Sequence, residues 1–227
     1  MKERPIIFNG DMVRSILDGR KTQTRRVVKP QPFYANGVWQ FQHKLYTFDC
    51  WVYDDDDLMG EEFLEFARNA NNYGQPGDLL YVRENAYICP PNFSTEGEET
   101  HIDNYGKERI VSHSASMCSD SIDIAREYGV KQTPSIHMPK WASRIKLEIT
   151  DIRIERLQNI TEEDAIAEGI ESDGNGRWKI PPGNLGTWSN PVEVFFELWD
   201  TINGKKKGRT VKDNPWVWVV EFKRIDK

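Results

Sequence analysis

The sequence predicts an α+β fold: a small, closed or partly closed mixed β-barrel with short flanking helices. Three observations point there. Runs rich in Val, Ile, Thr and aromatic residues recur from one end of the chain to the other. The helical patterns between them stay short. And 227 residues, 38% of them hydrophobic, can bury a core without disulfide staples, yet amount to one elaborated domain or two small ones.

The elements follow in order. Residues 10–19 read as a short helix: Met12, Val13, Ile16 and Leu17 form one apolar stripe, and Gly19 stands where a helix C-terminus favours a left-handed residue. Lys21–Val28 is threonine- and valine-rich and reads as a strand, ended by Pro30 and Pro32. Val38–Phe41 and Leu45–Tyr53 suggest a hairpin, and 61–70 a helix. The turn Pro76-Gly77-Asp78 leads into a strand, Leu79–Arg83. From Pro90 to Pro134 the text is polar and irregular, with one helix near Ser121–Tyr128. Ala142–Leu157 reads as one or two strands. Thr161–Asp164 resembles a capping box opening a helix that ends near Gly169. Pro191–Ile202 reads as a helix with Phe195, Trp199 and Ile202 on one face, and Val217–Phe222 as a closing strand.

Several classes of function are disfavoured by what the chain lacks. No run of about 18 apolar residues is present, so no membrane span is expected. The start has no apolar segment of the secretory kind. Cys50, Cys89 and Cys118 are sparse and odd in number, which fits a reducing cytoplasm. His43, His101, His113 and His137 lack metal-ligand spacing, and neither a phosphate-cradling glycine loop nor a nucleophile elbow occurs. We therefore expect no metal and no cofactor. The net charge of −6 argues against a uniformly basic nucleic-acid coat, but the charge is uneven. Residues 49–65 hold eight acidic residues and no basic one, so the rest of the chain is net +2. Residues 1–30 are net +5, and Lys205, Lys206, Lys207, Arg209 and Lys212 form a second basic cluster. These cations would meet phosphate or simply face solvent.

The segment Gly19-Arg20-Lys21-Thr22-Gln23-Thr24-Arg25-Arg26 resembles the opening motif of the ASCH family, in the PUA-like β-barrel superfamily. The likeness continues in Pro76–Glu84, in Ile160–Gly169 and in Val217–Phe222, in the family's order and over roughly half the chain. Met138–Arg144 and Asn214–Trp218 resemble the larger ASCH proteins of tailed phages and prophages. The resemblance implies a single domain over 1–227, a PUA-like barrel with insertions at 31–75 and 90–135, that binds RNA or modified bases. It also implies an amidohydrolase of the kind that removes the acetyl group of 4-N-acetylcytidine, with Lys21, Thr24 and Glu168 as the catalytic set. Arg20, Arg25, Arg26, Glu84, Trp141, Arg144 and Trp216 are the substrate-binding candidates. The expected partner is a modified nucleoside or a short single-stranded RNA, and the oligomeric state stays open. The alternative is a non-catalytic binding module of phage origin.

The chemistry carries its own conditions. A threonine hydroxyl needs a base to take its proton, and lysine is that base only when desolvation or a nearby cation lowers its pKa. A carboxylate such as Glu168 opposes this, so it would orient Lys21 or handle protons at the leaving amine. On a regular strand Lys21 and Thr24 point to opposite faces, so their convergence requires a bulge or turn after Gly19. The bland readings stand beside these. The threonines are good strand formers, Lys21 and Arg25 would suit a solvated strand face, and Glu168 a helix surface. Arg83-Glu84 reads foremost as an internal ion pair, Trp141 and Trp216 as core, and His137 as a satisfied barrel histidine.

Overall fold

The computed structural model describes residues 1–35, 38–43, 46–51, 65, 69–89, 98–117, 119–179 and 188–225. Most of the acidic run at 49–65, most of the helix expected over 61–70, and Cys118 lie outside the described residues. The chain is a mixed α+β protein with several sheets and few helices. Among the described residues no sheet closes on itself into a barrel. No helix among them is long and apolar enough to cross a membrane. The chain divides into two compact units, each built from segments distant in sequence.

The first unit comprises Met1–Gly19, Asp78–Glu148 and Arg224–Lys227. Strand β1 (Glu3–Ile7) runs parallel to β6 (Leu79–Arg83), which also pairs antiparallel with the start of β11 (Lys146–Arg156). Helix α1 (Gly10–Leu17) is capped by the Asn9 side chain, which accepts from Met12 N, and it buries Val13 and Ile16 as the apolar stripe predicts. Gly19 follows at φ 74°, the left-handed geometry the helix end calls for. After Glu84-Asn85 the chain enters β7 (Ala86–Cys89), which lies in a four-stranded sheet with β10 (Gln132–Thr133), β9 (Glu108–His113) and β8 (Glu98–Ile102). Part of the stretch expected to be irregular is thus a hairpin, β8–β9. Its apolar side is short: Val111 and Ile110 pack on separate clusters around Ala86 and Tyr87, and too few apolar residues alternate to announce a strand. Helix α2 (Ser119–Glu127) lies close to the expected span.

The second unit comprises Arg20–Gly77 and Ile149–Lys223. Its sheet sets β14 (Trp216–Ile225) between β11 and β2 (Gln23–Val27). The β2–β14 pairing is antiparallel and one-for-one from Gln23↔Glu221 to Val27↔Val217. Helix α3 (Glu162–Ala167) opens on the expected capping box, Thr161 with Asp164. Helix α4 (Pro191–Asn203) has its proline in the first turn. Both helices cover the sheet around Leu157, Ala165, Val194, Phe195, Trp199, Val217 and Val219. Ile202, expected on the buried face, is 46% exposed, because the helix turns its last residues to solvent. The hairpin at 37–53 forms as β4 (Val38–His43) and β5 (Tyr46–Trp51), with β3 (Phe33–Ala35) added at its edge. A small β12–β13 pair (Glu171–Ser172 and Trp178–Lys179) completes the unit.

Candidate functional site

The chain turns at Gly19, Lys21 precedes the ladder, and Thr22 touches β14 through its carbonyl, which accepts from Phe222 N at 2.8 Å. The Thr22 amide donates to Ala167 O at 2.9 Å, which ties this turn to the end of α3. That tie brings Lys21 to Glu168. The Lys21 Nζ donates to Glu168 Oε2 at 2.6 Å and to the Glu168 carbonyl at 2.8 Å. The two side chains are only 1% and 5% exposed. The carboxylate and the carbonyl end of a helix thus hold one ammonium together.

Gln23 and Arg25 point to the same helix. Gln23 Nε2 donates to Asp164 O at 2.8 Å and to Asp164 Oδ1 at 3.1 Å. Arg25 Nη2 donates to Asp164 Oδ2 at 2.8 Å and to Glu155 Oε1. Arg153 adds bonds to Asp164, Glu155 and Glu221. Asp164 therefore caps its helix and ties two arginines to it. Three buried polar atoms at this centre have no hydrogen-bond partner: Arg25 Nε, Arg25 Nη1 and Glu168 Oε1. The last two face each other at 3.5 Å, an ion pair but longer than a hydrogen bond between them would be. Leaving such groups unsatisfied costs about 1–3 kcal/mol each, so a fold keeps them at a cost to its own stability.

The same burial shapes the charges. Desolvation pushes the Lys21 ammonium below its ordinary value, and the neighbouring Arg26 and Arg25 add to this. Glu168 opposes the shift without cancelling it. For Asp164 burial works to raise the carboxyl, but Arg25, Gln23 and Arg153 outweigh it and hold Asp164 below the usual carboxylate range. A lysine whose ammonium is made more acidic beside a carboxylate gives up its proton more readily than an exposed one.

The predicted site residues fall into separate groups. Lys21, Arg25 and Glu168 come together. Arg26, half-buried, acts on Lys21 through its field, and Arg20 Nη1 reaches Gly169 O at 3.4 Å. Thr24 does not join them. The one-for-one ladder contains no bulge between Gln23 and Val27, so Thr24 faces away from Gln23 and Arg25, whose heads reach α3. The turn after Gly19 exists, but it serves to deliver Lys21 to Glu168, and the buried Thr24 lies beyond it. Lys21 and Arg25 are buried, not a solvated strand face.

Glu84, Arg144 and Trp141 belong to the first unit. Arg144 clasps Glu84 through Nε at 2.9 Å and Nη2 at 3.2 Å, and bonds Ser116 Oγ at 2.8 Å through Nη1. Trp141 lies by His101, 6.4 Å between ring centroids. Glu84 thus pairs with Arg144 and not with Arg83, which donates to Ile136 O. His137, expected inside, is exposed, whereas His101 and His113 are buried with ring centroids 6.1 Å apart. Trp216 is buried in the second unit beneath the Arg156 guanidinium, 4.3 Å from its centroid.

Sequence reasoning missed Gln23, Arg153, Glu155 and Asp164 as members of the charged centre. A signal was present for three of them. Arg153 and Glu155 alternate with Ile152 and Ile154 along β11, placing two charges on one strand face, and Asp164 already belonged to the capping box. Comparison with family models, curated proteins and solved structures finds no match to this chain.

Proposed function

We propose that this chain is an ASCH-type protein with a PUA-like barrel, and that its Lys21–Glu168–Arg25 centre hydrolyses the acyl amide of a modified cytosine nucleoside or base, such as 4-N-acetylcytidine. One observation carries the reading: the two residues that the motif resemblance names as lysine and glutamate, 147 positions apart, meet in a buried 2.6 Å pair. The PUA-like barrel rests on the order of the motifs and on the strands and helices found where those motifs placed them.

The geometry favours water over Thr24 as nucleophile. Glu168 Oε1, which accepts no hydrogen bond, takes a proton from water as the water oxygen bonds to the acyl carbon. Arg25 Nη1, also without a hydrogen bond, faces the oxygen on which negative charge gathers. As the carbon–nitrogen bond breaks, the Lys21 ammonium delivers its proton to the departing amine. The Glu168 carboxyl then gives up its proton and the Lys21 amine takes one up, which restores the pair that meets at 2.6 Å through Oε2. Water is consumed, a carboxylic acid and a cytosine amine are formed, and the centre is restored.

Incubation with 4-N-acetylcytidine, followed by chromatography for cytidine, tests the proposal. Wild type turns the substrate over. Lys21→Ala and Glu168→Gln each lose about 10²-fold or more, the usual weight of a positioned acid or base. Thr24→Ala retains activity within a few-fold. No turnover by wild type refutes the substrate, and turnover unchanged in Lys21→Ala and Glu168→Gln refutes the site. A loss in Thr24→Ala equal to that in Lys21→Ala would restore the threonine nucleophile.

A further inference from the structure

An asparagine followed by glycine is chemically labile, because no Cβ on the glycine keeps its amide nitrogen from the side-chain carbonyl before it. The step occurs four times in this chain, at Asn9-Gly10, Asn36-Gly37, Asn175-Gly176 and Asn203-Gly204. Asn36-Gly37 lies outside the described residues. The structure treats the other three differently. Asn9 Oδ1 accepts from Met12 N at 2.8 Å as the cap of α1, so turning that side chain onto Gly10 forfeits the cap. At the end of α4, Gly204 N donates to Asp200 O at 2.8 Å and Asn203 Nδ2 donates to Trp199 O at 3.3 Å. There both reacting groups are held by the helix.

Asn175 stands at the tip of the β12–β13 hairpin. The hairpin pairs Glu171 with Lys179 and Ser172 with Trp178, and Asp173 N donates to Arg177 O at 2.9 Å to close the loop. Asn175 and Gly176 are both exposed beyond that closure, and Asn175 has a glycine on either side, Gly174 and Gly176, each with positive φ. Among the described residues neither the Asn175 side chain nor the Gly176 amide makes a hydrogen bond. The neighbouring Asp173-Gly174 step has the same spacing and is shielded. Gly174 N donates to Ser172 Oγ at 3.1 Å, and Asp173 Oδ1 accepts from Asn175 N at 2.7 Å and from Arg177 N at 3.1 Å. Those amides, with the fields of Arg177 and Lys179, hold Asp173 below the usual carboxylate range, and an ionised carboxylate is a poor electrophile. Arg177 and Lys179 also favour the negative charge that gathers when an amide nitrogen attacks a carbonyl beside them.

We propose that Asn175 is a site of self-modification, deamidating through a cyclic imide with Gly176 to leave aspartate or isoaspartate at the hairpin tip. The Gly176 nitrogen gives up its proton and bonds to Asn175 Cγ. The bond from Cγ to Nδ2 breaks, and ammonia leaves with that proton. Water then opens the imide, its oxygen bonding to one of the two carbonyl carbons and its hydrogen returning to nitrogen. Attack at Cγ gives aspartate, and attack at the main-chain carbonyl gives isoaspartate. Water is consumed, ammonia is released, and no other reactant takes part. The product adds a carboxylate beside Arg177, and the isoaspartate form lengthens the main chain of the turn by one methylene. The site is independent of the hydrolysis proposed above, which uses other residues.

The test is timed incubation of the folded protein in mildly alkaline buffer, followed by brief tryptic digestion and mass spectrometry, with a zero-time sample as reference. Trypsin releases Asn175 in the peptide Leu157–Arg177, apart from the other three steps. That peptide should gain the mass of an amide turned to acid and split into two isomers on chromatography. Asn175 should convert at least about tenfold faster than Asn9 or Asn203, whose held groups must first be released. Asn175→Gln should abolish the change, and Gly176→Ala should slow it about tenfold or more by shielding the nitrogen. A Cβ at Gly176 meets no atom within 4 Å, so that variant should keep the wild-type circular dichroism. In the urea-unfolded chain the rates at Asn9, Asn175 and Asn203 should converge, because the protection of two of them is structural. An unchanged Leu157–Arg177 peptide in the folded protein overturns the proposal. So does conversion of Asn9 or Asn203 at the rate of Asn175, or a mass gain that survives Asn175→Gln, which would place the change at Asn159.

Discussion

Glu168→Gln is the most searching perturbation of the buried centre. The change keeps the shape of the side chain and removes its charge. Lys21 then remains 1% exposed, with a carbonyl and an amide oxygen in place of a carboxylate. Arg25 Nη1 loses its counter-charge at 3.5 Å as well. Removing one partner of a buried pair costs about 3–5 kcal/mol, because the survivor stays desolvated. The retained amide oxygen puts the expected loss at the lower end, about 3 kcal/mol. Lys21→Met should cost a similar amount, since it leaves Glu168 with Arg25 alone. The double variant should cost less than the sum, by about 1–3 kcal/mol, because neither charge is then stranded. Urea unfolding reads all three. With a slope of about 2–3 kcal/mol per molar, each single variant should lower the midpoint by roughly 1 M. The pH dependence supplies a second readout. Folding depresses the Lys21 pKa below 10.5, so the unfolded chain binds the proton more readily within that interval. Stability contributed by this group therefore rises with pH between the folded value and 10.5. Lys21→Met should abolish that component, and Glu168→Gln should extend it to lower pH. Single variants that cost under about 0.5 kcal/mol and add independently would refute the buried-pair reasoning.

Three further outcomes follow from the same geometry. Asp164→Asn should lose about 2–3 kcal/mol, since it weakens charged bonds to Arg25 and Arg153 together. Its carboxyl is held below 3.8, so its contribution is complete above that pH and fades as the pH falls through the folded value; acid unfolding of the variant should therefore be flatter in that range. Gly19→Ala meets no atom within 4 Å, so its cost should be purely conformational, about 1–2 kcal/mol for a left-handed residue, measured by thermal unfolding. Leu147→Ala, at a fully buried position on β11, should lose about 2–5 kcal/mol by denaturant titration; a loss below 1 kcal/mol would mean that the first unit collapses around the cavity.

Much of the fold was legible because the signals are local. The stripe of α1, the Gly19 stop, the Pro76–Asp78 turn and the Thr161 capping box each act within a few residues, and each appears where expected. Strand β6 matches its expected span, since five consecutive residues supply the pattern. The β8–β9 hairpin was not legible, because its buried positions mix His101, Ser112 and His113 with apolar residues. Buried histidines look polar in a sequence and mask the period of two on which a strand is recognised. His137 shows the reverse error: apolar neighbours promised burial, but a single 3-10 turn leaves it exposed.

By itself the sequence determined which residue types stand at Lys21, Arg25 and Glu168, where the helices begin and stop, and that charge is segregated along the chain. Only the tertiary structure decided that Lys21 meets Glu168 and that Thr24 faces elsewhere. The physical reason is the reach of the forces involved. Caps, stripes and turns are written in neighbouring residues, whereas a buried ion pair between residues 147 apart exists only once the core has desolvated both partners and the strand register has chosen which face each side chain takes.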